Sequence, residues 1–156
     1  MADLKPPRVV GDERSTLLDL LSYQRESLVR KVVGVSEADA RRRFVPTDTT
    51  LLWLVKHLRR AEVMWVLVRF AGRDVEVPDD TVLDGDTVEG AVDAYRSTWA
   101  DVAEVVAGAD LDDLCVQPDG PPTDLRWVLA HLLEETARHA GHADVLRELV
   151  DGSTGR

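Results

Sequence analysis

The chain has 156 residues, 44% of them hydrophobic and 31% charged, with a net charge of -10 and a single cysteine. That length suits one domain with a full core. The acidic balance argues against partners held through nucleic-acid phosphates or an anionic membrane surface, both of which need a basic face. The lone Cys115 leaves no internal disulfide and points to a reducing cytoplasm.

Residues 1–11 carry two prolines and no periodicity, and are expected to form a flexible arm before a domain at 12–151. The first residues lack the apolar core of a signal peptide, and no apolar run approaches the roughly 20 residues of a membrane span. Asp12 can cap a helix running to about Val33, with Leu17, Leu20, Leu21, Leu28 and Val32 on its apolar side and Gly34 as its stop. Ser36 begins a second, short helix, which Phe44-Val45-Pro46 closes, because a residue before proline leaves helical space.

Thr47-Asp48-Thr49 opens a third helix to about Ala71. Its predicted inward stripe is Leu54, His57, Ala61, Met64 and Val68, at steps of three and four. Residues 73–85 read as an acidic loop, with Val75–Val77 as a candidate extended piece. Asp86 or Thr87 opens a fourth helix, with Val88, Val92, Tyr95, Trp99, Val102 and Val106 facing in and Gly108 ending it. Ala109–Leu114 allows one turn, and Cys115–Pro122 is a proline-rich connector.

The last helix is read over Thr123 to Val150. Val128, Leu132, Glu135, His139, His142, Leu146 and Leu149 follow one another on one predicted core stripe. An ionisable side chain on a buried stripe needs a partner or a metal. Glu135 and His139 are one turn apart, with Cβ atoms roughly 5–6 Å from each other. Together with His57 they make two imidazoles and a carboxylate, a set that holds zinc with one position open, or iron(II) and other first-row metals. The competing reading is an ordinary ion pair on the helix surface beside a hydrogen-bonded histidine. His142 is read as a group that orients a ligand or carries a proton, and His131, one turn before Glu135, as a hydrogen-bond partner rather than a ligand. Cys115 has no neighbour to activate it. Arg41–Arg43 reads as a solvated face. Trp53, Trp65, Trp99 and Trp127 read as packing, with room for one of them to line a pocket. Arg60, Arg69 and Arg126 are candidates to meet an anionic substrate. Four long helices and no run of strands predict an all-α four-helix bundle with short connector helices.

Two stretches carry a resemblance. Thr49-Thr50-Leu51-Leu52-Trp53-Leu54-Val55-Lys56-His57-Leu58, followed by Glu62 and Trp65, resembles the second-helix motif of the DinB-like superfamily. Glu134-Glu135-Thr136-Ala137-Arg138-His139-Ala140-Gly141-His142-Ala143-Asp144 resembles its last-helix motif. The nearest branch looks like the actinobacterial one related to mycothiol-dependent maleylpyruvate isomerases and thiol S-transferases. The resemblance implies a bundle of the DinB type with a divalent metal on His57, Glu135 and His139. Many members use three histidines, and Glu135 departs from that pattern toward the His, Glu, His set of the mycothiol-dependent isomerases. No C-terminal extension of the kind that longer isomerases carry is expected after the bundle, which points away from isomerase activity itself.

These readings together lead to a metal-dependent enzyme that activates a low-molecular-weight thiol, such as mycothiol, for transfer to a small electrophilic substrate, with His142 as the catalytic proton carrier. Zinc is the first choice of metal, with nickel or iron as alternatives. A hydrolase using metal-activated water and a non-catalytic metal- or small-molecule-binding bundle remain open beside it. Four tryptophans and a leucine-rich outer edge also suggest a homodimer.

Overall fold

A computed structural model describes residues 5–8 and 10–155; part of the expected arm, residues 1–4 and 9, lies outside the described residues. Helix α1 spans Glu13–Val32, α2 Glu37–Ala40, α3 Leu51–Glu62, α4 Val88–Ala107 and α5 Leu125–Asp151. Beyond Glu62, α3 continues as a π-helical segment, Val63–Phe70. The fold is all-α. Among the described residues there is no strand at Val75–Val77; the one bridge of β type joins Leu114 to Asp124.

The start of each helix is fixed by a side-chain oxygen taking a backbone N–H that the helix leaves unpaired. Asp12 accepts from Ser15, Ser36 from Asp39, Thr50 from Trp53, Thr87 from Gly90 and Asp124 from Trp127, at 2.8–3.1 Å. Each such cap stabilises its helix by about 1 kcal/mol. Gly34 and Gly152 follow α1 and α5 with φ of 80° and 74°, the left-handed conformation that glycine adopts without a Cβ penalty.

Helix α5 packs along α1, while α3 packs on α4 and α5. One set of core side chains joins α1, α3, α4 and the C-terminal half of α5; a second joins the π-helical segment, the C-terminal end of α4 and the N-terminal half of α5. A polar group crosses this interior. Arg25 donates to both oxygens of the fully buried Glu62, at 2.8 and 2.6 Å, and Tyr95 donates its hydroxyl to Oε1 at 2.9 Å. Both carboxylate oxygens have donors, which is the condition for sealing a carboxylate away from water.

Two predicted stripes are displaced in part. On α5 Val128, Leu132 and Leu146 of the predicted stripe are buried, but the middle of the buried face is Thr136, Ala140 and Ala143, one residue on from Glu135, His139 and His142. Glu135 and His139 therefore lie at the edge of the core, and His142 and Leu149 are exposed. Past Glu62 the buried residues are Val63, Val66, Leu67 and Phe70; Met64 and Val68 are only half-buried. The wider i to i+5 turns, such as Ala71 N–H to Val66 C=O at 2.9 Å, rotate the inward face away from the 3.6-residue expectation. On α4 Thr98 is buried and Trp99 is half-buried.

Candidate metal centre

His57 projects from the middle of α3, and Glu135 and His139 from adjacent turns of α5. Their ligand atoms all lie within 4.8 Å of one another. The Nε2 atoms of His57 and His139 each stand 3.1 Å from the same oxygen, Glu135 Oε1. The side chains are 24%, 18% and 11% exposed for His57, Glu135 and His139, so the cluster opens to solvent on one side.

The loop 73–87 completes it. Lys56 binds Asp86 Oδ2 at 2.6 Å and the Thr81 carbonyl, and Arg60 donates to the Pro78 carbonyl at 3.0 Å. Arg41, expected to be solvated, instead donates to the Leu83 and Asp86 carbonyls from the far side. These ties lay Asp80 against His57, with Oδ2 2.9 Å from Nδ1. Trp53, one turn before His57, stacks on its imidazole with 4.5 Å between centroids and 19° between planes. The His57 ring is thus held at its face and at one nitrogen.

The donor set fits a divalent cation. A carboxylate accepts and cannot donate, so the nitrogen facing Asp80 carries the proton. A neutral His57 then presents a lone pair at Nε2 to Glu135, another acceptor. A second proton on the ring, or a cation between the two, removes that conflict. Ligands at about 2.0–2.2 Å from a tetrahedral ion lie roughly 3.3–3.6 Å apart, close to the 3.1 Å seen between each Nε2 and Oε1. Asp80 against the outer nitrogen is the arrangement that fixes the tautomer of a metal-binding imidazole. His139 repeats the pattern, its Nδ1 lying 3.2 Å from His142 Nδ1.

Protonation preferences agree with this. Burial pushes the Glu135 carboxyl up, but hydrogen bonds and charge from His57 and His139 outweigh it and hold the group below its ordinary value. Burial, with the neighbouring His57 and His142, holds His139 down against the pull of Glu135. An ionised carboxylate and a neutral imidazole are the forms that bind metals.

His57, Glu135 and His139 are brought together as the spacing suggested, though at the core's edge rather than inside it. Among the described residues His142 reaches the cluster only through His139. His131, expected to make a hydrogen bond, makes none among the described residues; it stacks on Trp127 and meets Trp65 edge-on, with centroids 4.8 and 4.9 Å away. Cys115 is buried, which raises its thiol pKa and disfavours the thiolate. Arg126 pairs with Glu13 and Asp112. Asp80 was invisible to sequence reasoning, since nothing in an acidic loop marks one carboxylate above another. Beyond Trp53 and Asp80 opens a cleft of about 380 Å³ with Arg41, Arg43, Asp48, Thr50 and Thr81 in its walls.

The comparisons with known proteins agree with the fold. A conserved protein from Enterococcus faecalis superposes with a TM-score of 0.66 at 18% identity, covering 92% of this chain and all of that one. A DinB-like protein from Bacillus cereus ATCC 10987 gives 0.68 at 18% identity, over 89% and 96%. No curated protein matches the chain. A family model described as mycothiol-S-transferase matches residues 16–152, nearly the whole chain. On that match, with the DinB-like fold beneath it, the chain belongs to the mycothiol S-transferase family.

Proposed function

We propose that this protein is a divalent-metal-dependent S-transferase that moves the sulfur of a low-molecular-weight thiol, mycothiol in the first instance, onto a small electrophile. The observation that carries the reading is the meeting of two imidazole nitrogens and one carboxylate oxygen from distant parts of the chain at a solvent-open point. Membership of the family supports mycothiol as the thiol.

His57, Glu135 and His139 would hold the cation, with zinc first and nickel or iron as alternatives. A cation bound there supplies Lewis acidity that favours the nucleophilic, deprotonated form of a thiol. The protein does the remainder. Asp80 and the Trp53 face fix the His57 ring, and His142 fixes His139. The exposed His142 is also the proposed carrier that takes the S–H proton out to solvent. A C–S bond then forms as the electrophile's leaving group departs with its bonding pair. The cleft beyond Trp53, walled by arginines, hydroxyls and carboxylates, suits a polar thiol rich in hydroxyl groups.

The test is consumption of mycothiol, cysteine or glutathione with model electrophiles, by metal-stripped protein and by protein reloaded with zinc, nickel or iron. Metal-dependent thiol consumption is expected, with mycothiol preferred. Hydrolysis unaffected by thiol, or no turnover with any pair, would overturn the reading.

A further inference from the structure

A second cleft, of about 470 Å³, lies two turns along the same pair of helices. Trp127 and Trp65 are each eight residues from a triad member, Glu135 and His57, which is about 12 Å along a helix. The cleft is built rather than incidental. The loop 115–124 is tied down by Val116 N–H to the Phe70 carbonyl at 3.1 Å, Gln117 N–H to the Arg69 carbonyl at 2.9 Å and Cys115 N–H to the Thr123 carbonyl at 2.8 Å. It packs so closely on the end of the π-helical segment that a Cβ at Gly72 would stand 2.8 Å from Val116 Cγ1.

Its walls combine aromatic faces with one guanidinium. The Trp65 and Trp127 rings are 5.2 Å apart and tilted by 55°. Trp127 is 47% exposed although His131 covers one of its faces. Pro121 and Pro122 close the loop side with stiff apolar surface. Arg69 lies over Trp65, with Cζ 4.2 Å from the ring centroid, and is only 19% exposed. The two residues are four apart, a spacing that puts them on one side of the helix. Among the described residues the only hydrogen bond from the Arg69 side chain goes to Asp119, at 2.6 Å. Asp119 is 76% exposed and comes from the loop, and exposed pairs of this sort contribute only about 0–1 kcal/mol. The other acid in the wall, Asp124, is committed to capping α5 and to Arg126.

A half-buried guanidinium with most of its donors unmatched, beside an open indole face, recognises a planar ring bearing a carboxylate. We propose that this cleft is a binding site for a small aromatic carboxylate, whose ring stacks on Trp127 and whose carboxylate replaces Asp119 on Arg69. The site does not depend on the metal centre, and its occupancy can be measured without turnover.

The test is calorimetric titration of 2-naphthoate and of uncharged 2-naphthalenemethanol into metal-free protein, where the triad offers no cation to a carboxylate. Naphthoate should bind at least tenfold more tightly than the alcohol. Asp119→Asn should tighten naphthoate binding severalfold, by removing the internal competitor from an exposed loop position that folding does not need. Arg69→Gln should bring the two ligands to equal affinity. No naphthoate binding at millimolar concentration, equal binding of the alcohol, an Asp119→Asn variant that binds no better, or an Arg69→Gln variant that keeps the preference would each overturn the proposal. Loss of thiol transfer in the assay above would leave it standing.

Discussion

Two carboxylates of this protein each have two hydrogen-bonding neighbours, and they differ in burial. Glu62 is sealed in the core, with Arg25 on both oxygens and Tyr95 on one. Glu135 sits at the core's edge with two imidazoles on one oxygen, while Arg138 stands 3.7 Å from the other. Burial pushes the Glu62 carboxyl up against the pull of Arg25, whereas at Glu135 the imidazoles win and the group is held down. The first arrangement leaves nothing for a ligand to satisfy. The second leaves two nitrogens converging on an oxygen at a point that solvent reaches. A filled polar network stabilises; a converging set of ligand atoms at an open edge is suited to hold a cation.

The sharpest way to break this contrast is to cut the sealed network. Arg25→Met removes the cation and leaves Glu62 in the core without it. Losing one partner of a buried pair costs about 3–5 kcal/mol. Urea unfolding should show a loss of that order, with zinc still taken up by the folded fraction. A loss below about 1 kcal/mol would mean that Glu62 reaches water and that the contrast is false.

The next largest effect belongs to the open set. His57→Ala removes a ring that is partly exposed, so the metal-free protein should keep its stability to within about 1 kcal/mol. Zinc affinity should fall by more than the roughly 10–100-fold typical of losing an outer partner of a ligand. Elemental analysis and competitive zinc titration check this. A variant that still carries one zinc per chain at undiminished affinity would remove His57 from the ligand set.

Much of this was legible in the sequence because the signals are local. Asp12, Ser36 and Thr87 cap helices where their side chains suggested, and the glycines stop them. The third and fifth helices begin one or two residues later than read, because Thr50 and Asp124, not the earlier polar residues, hold the caps. The predicted stripe on α5 holds at Val128, Leu132 and Leu146 but runs one residue off in its middle, for a physical reason. Thr136, Ala140 and Ala143 are small and announce burial weakly, whereas Glu135, His139 and His142 form an equally regular row beside them. His57, Glu135 and His139 still meet, because edge residues of one helix face edge residues of the next. What no periodicity could supply is contact across the fold. Asp80 joins His57 over 23 residues, Arg25 joins Glu62 over 37, and the π-helical turns past Glu62 have no simple sequence mark.

Asp80 gives a smaller and more discriminating test. Asp80→Asn keeps the shape and the contact but removes the charge that favours a proton on His57 Nδ1. Zinc affinity should fall about 10–100-fold, with the fold intact. Asp79→Asn, one residue away with its carboxylate turned to Thr81, should leave zinc affinity unchanged. Equal losses in the two variants would make the effect one of net charge rather than of orientation.

The smallest expected effect concerns pH, in metal-free protein. Burial first, then His57 and His142, hold His139 below its ordinary 6.5 despite the pull of Glu135. The unfolded chain takes up that proton near the ordinary value, while the folded chain resists it to lower pH. Below pH 6.5 the unfolded state therefore binds more protons at this residue, and stability falls as pH falls. Glu135, held below its ordinary 4.5, adds a loss of the same sign at more acidic pH, whereas Glu62, pushed up, works the other way. Urea unfolding between pH 7.5 and 5.5 lies above the ordinary carboxylate range, so it should read His139 most directly. The wild type should lose more stability over that interval than His139→Gln, which cannot take the proton in either state. Equal slopes for the two proteins would mean that His139 is solvated like a surface residue, and the edge of the core would then be too wet to favour the neutral ring that a metal needs.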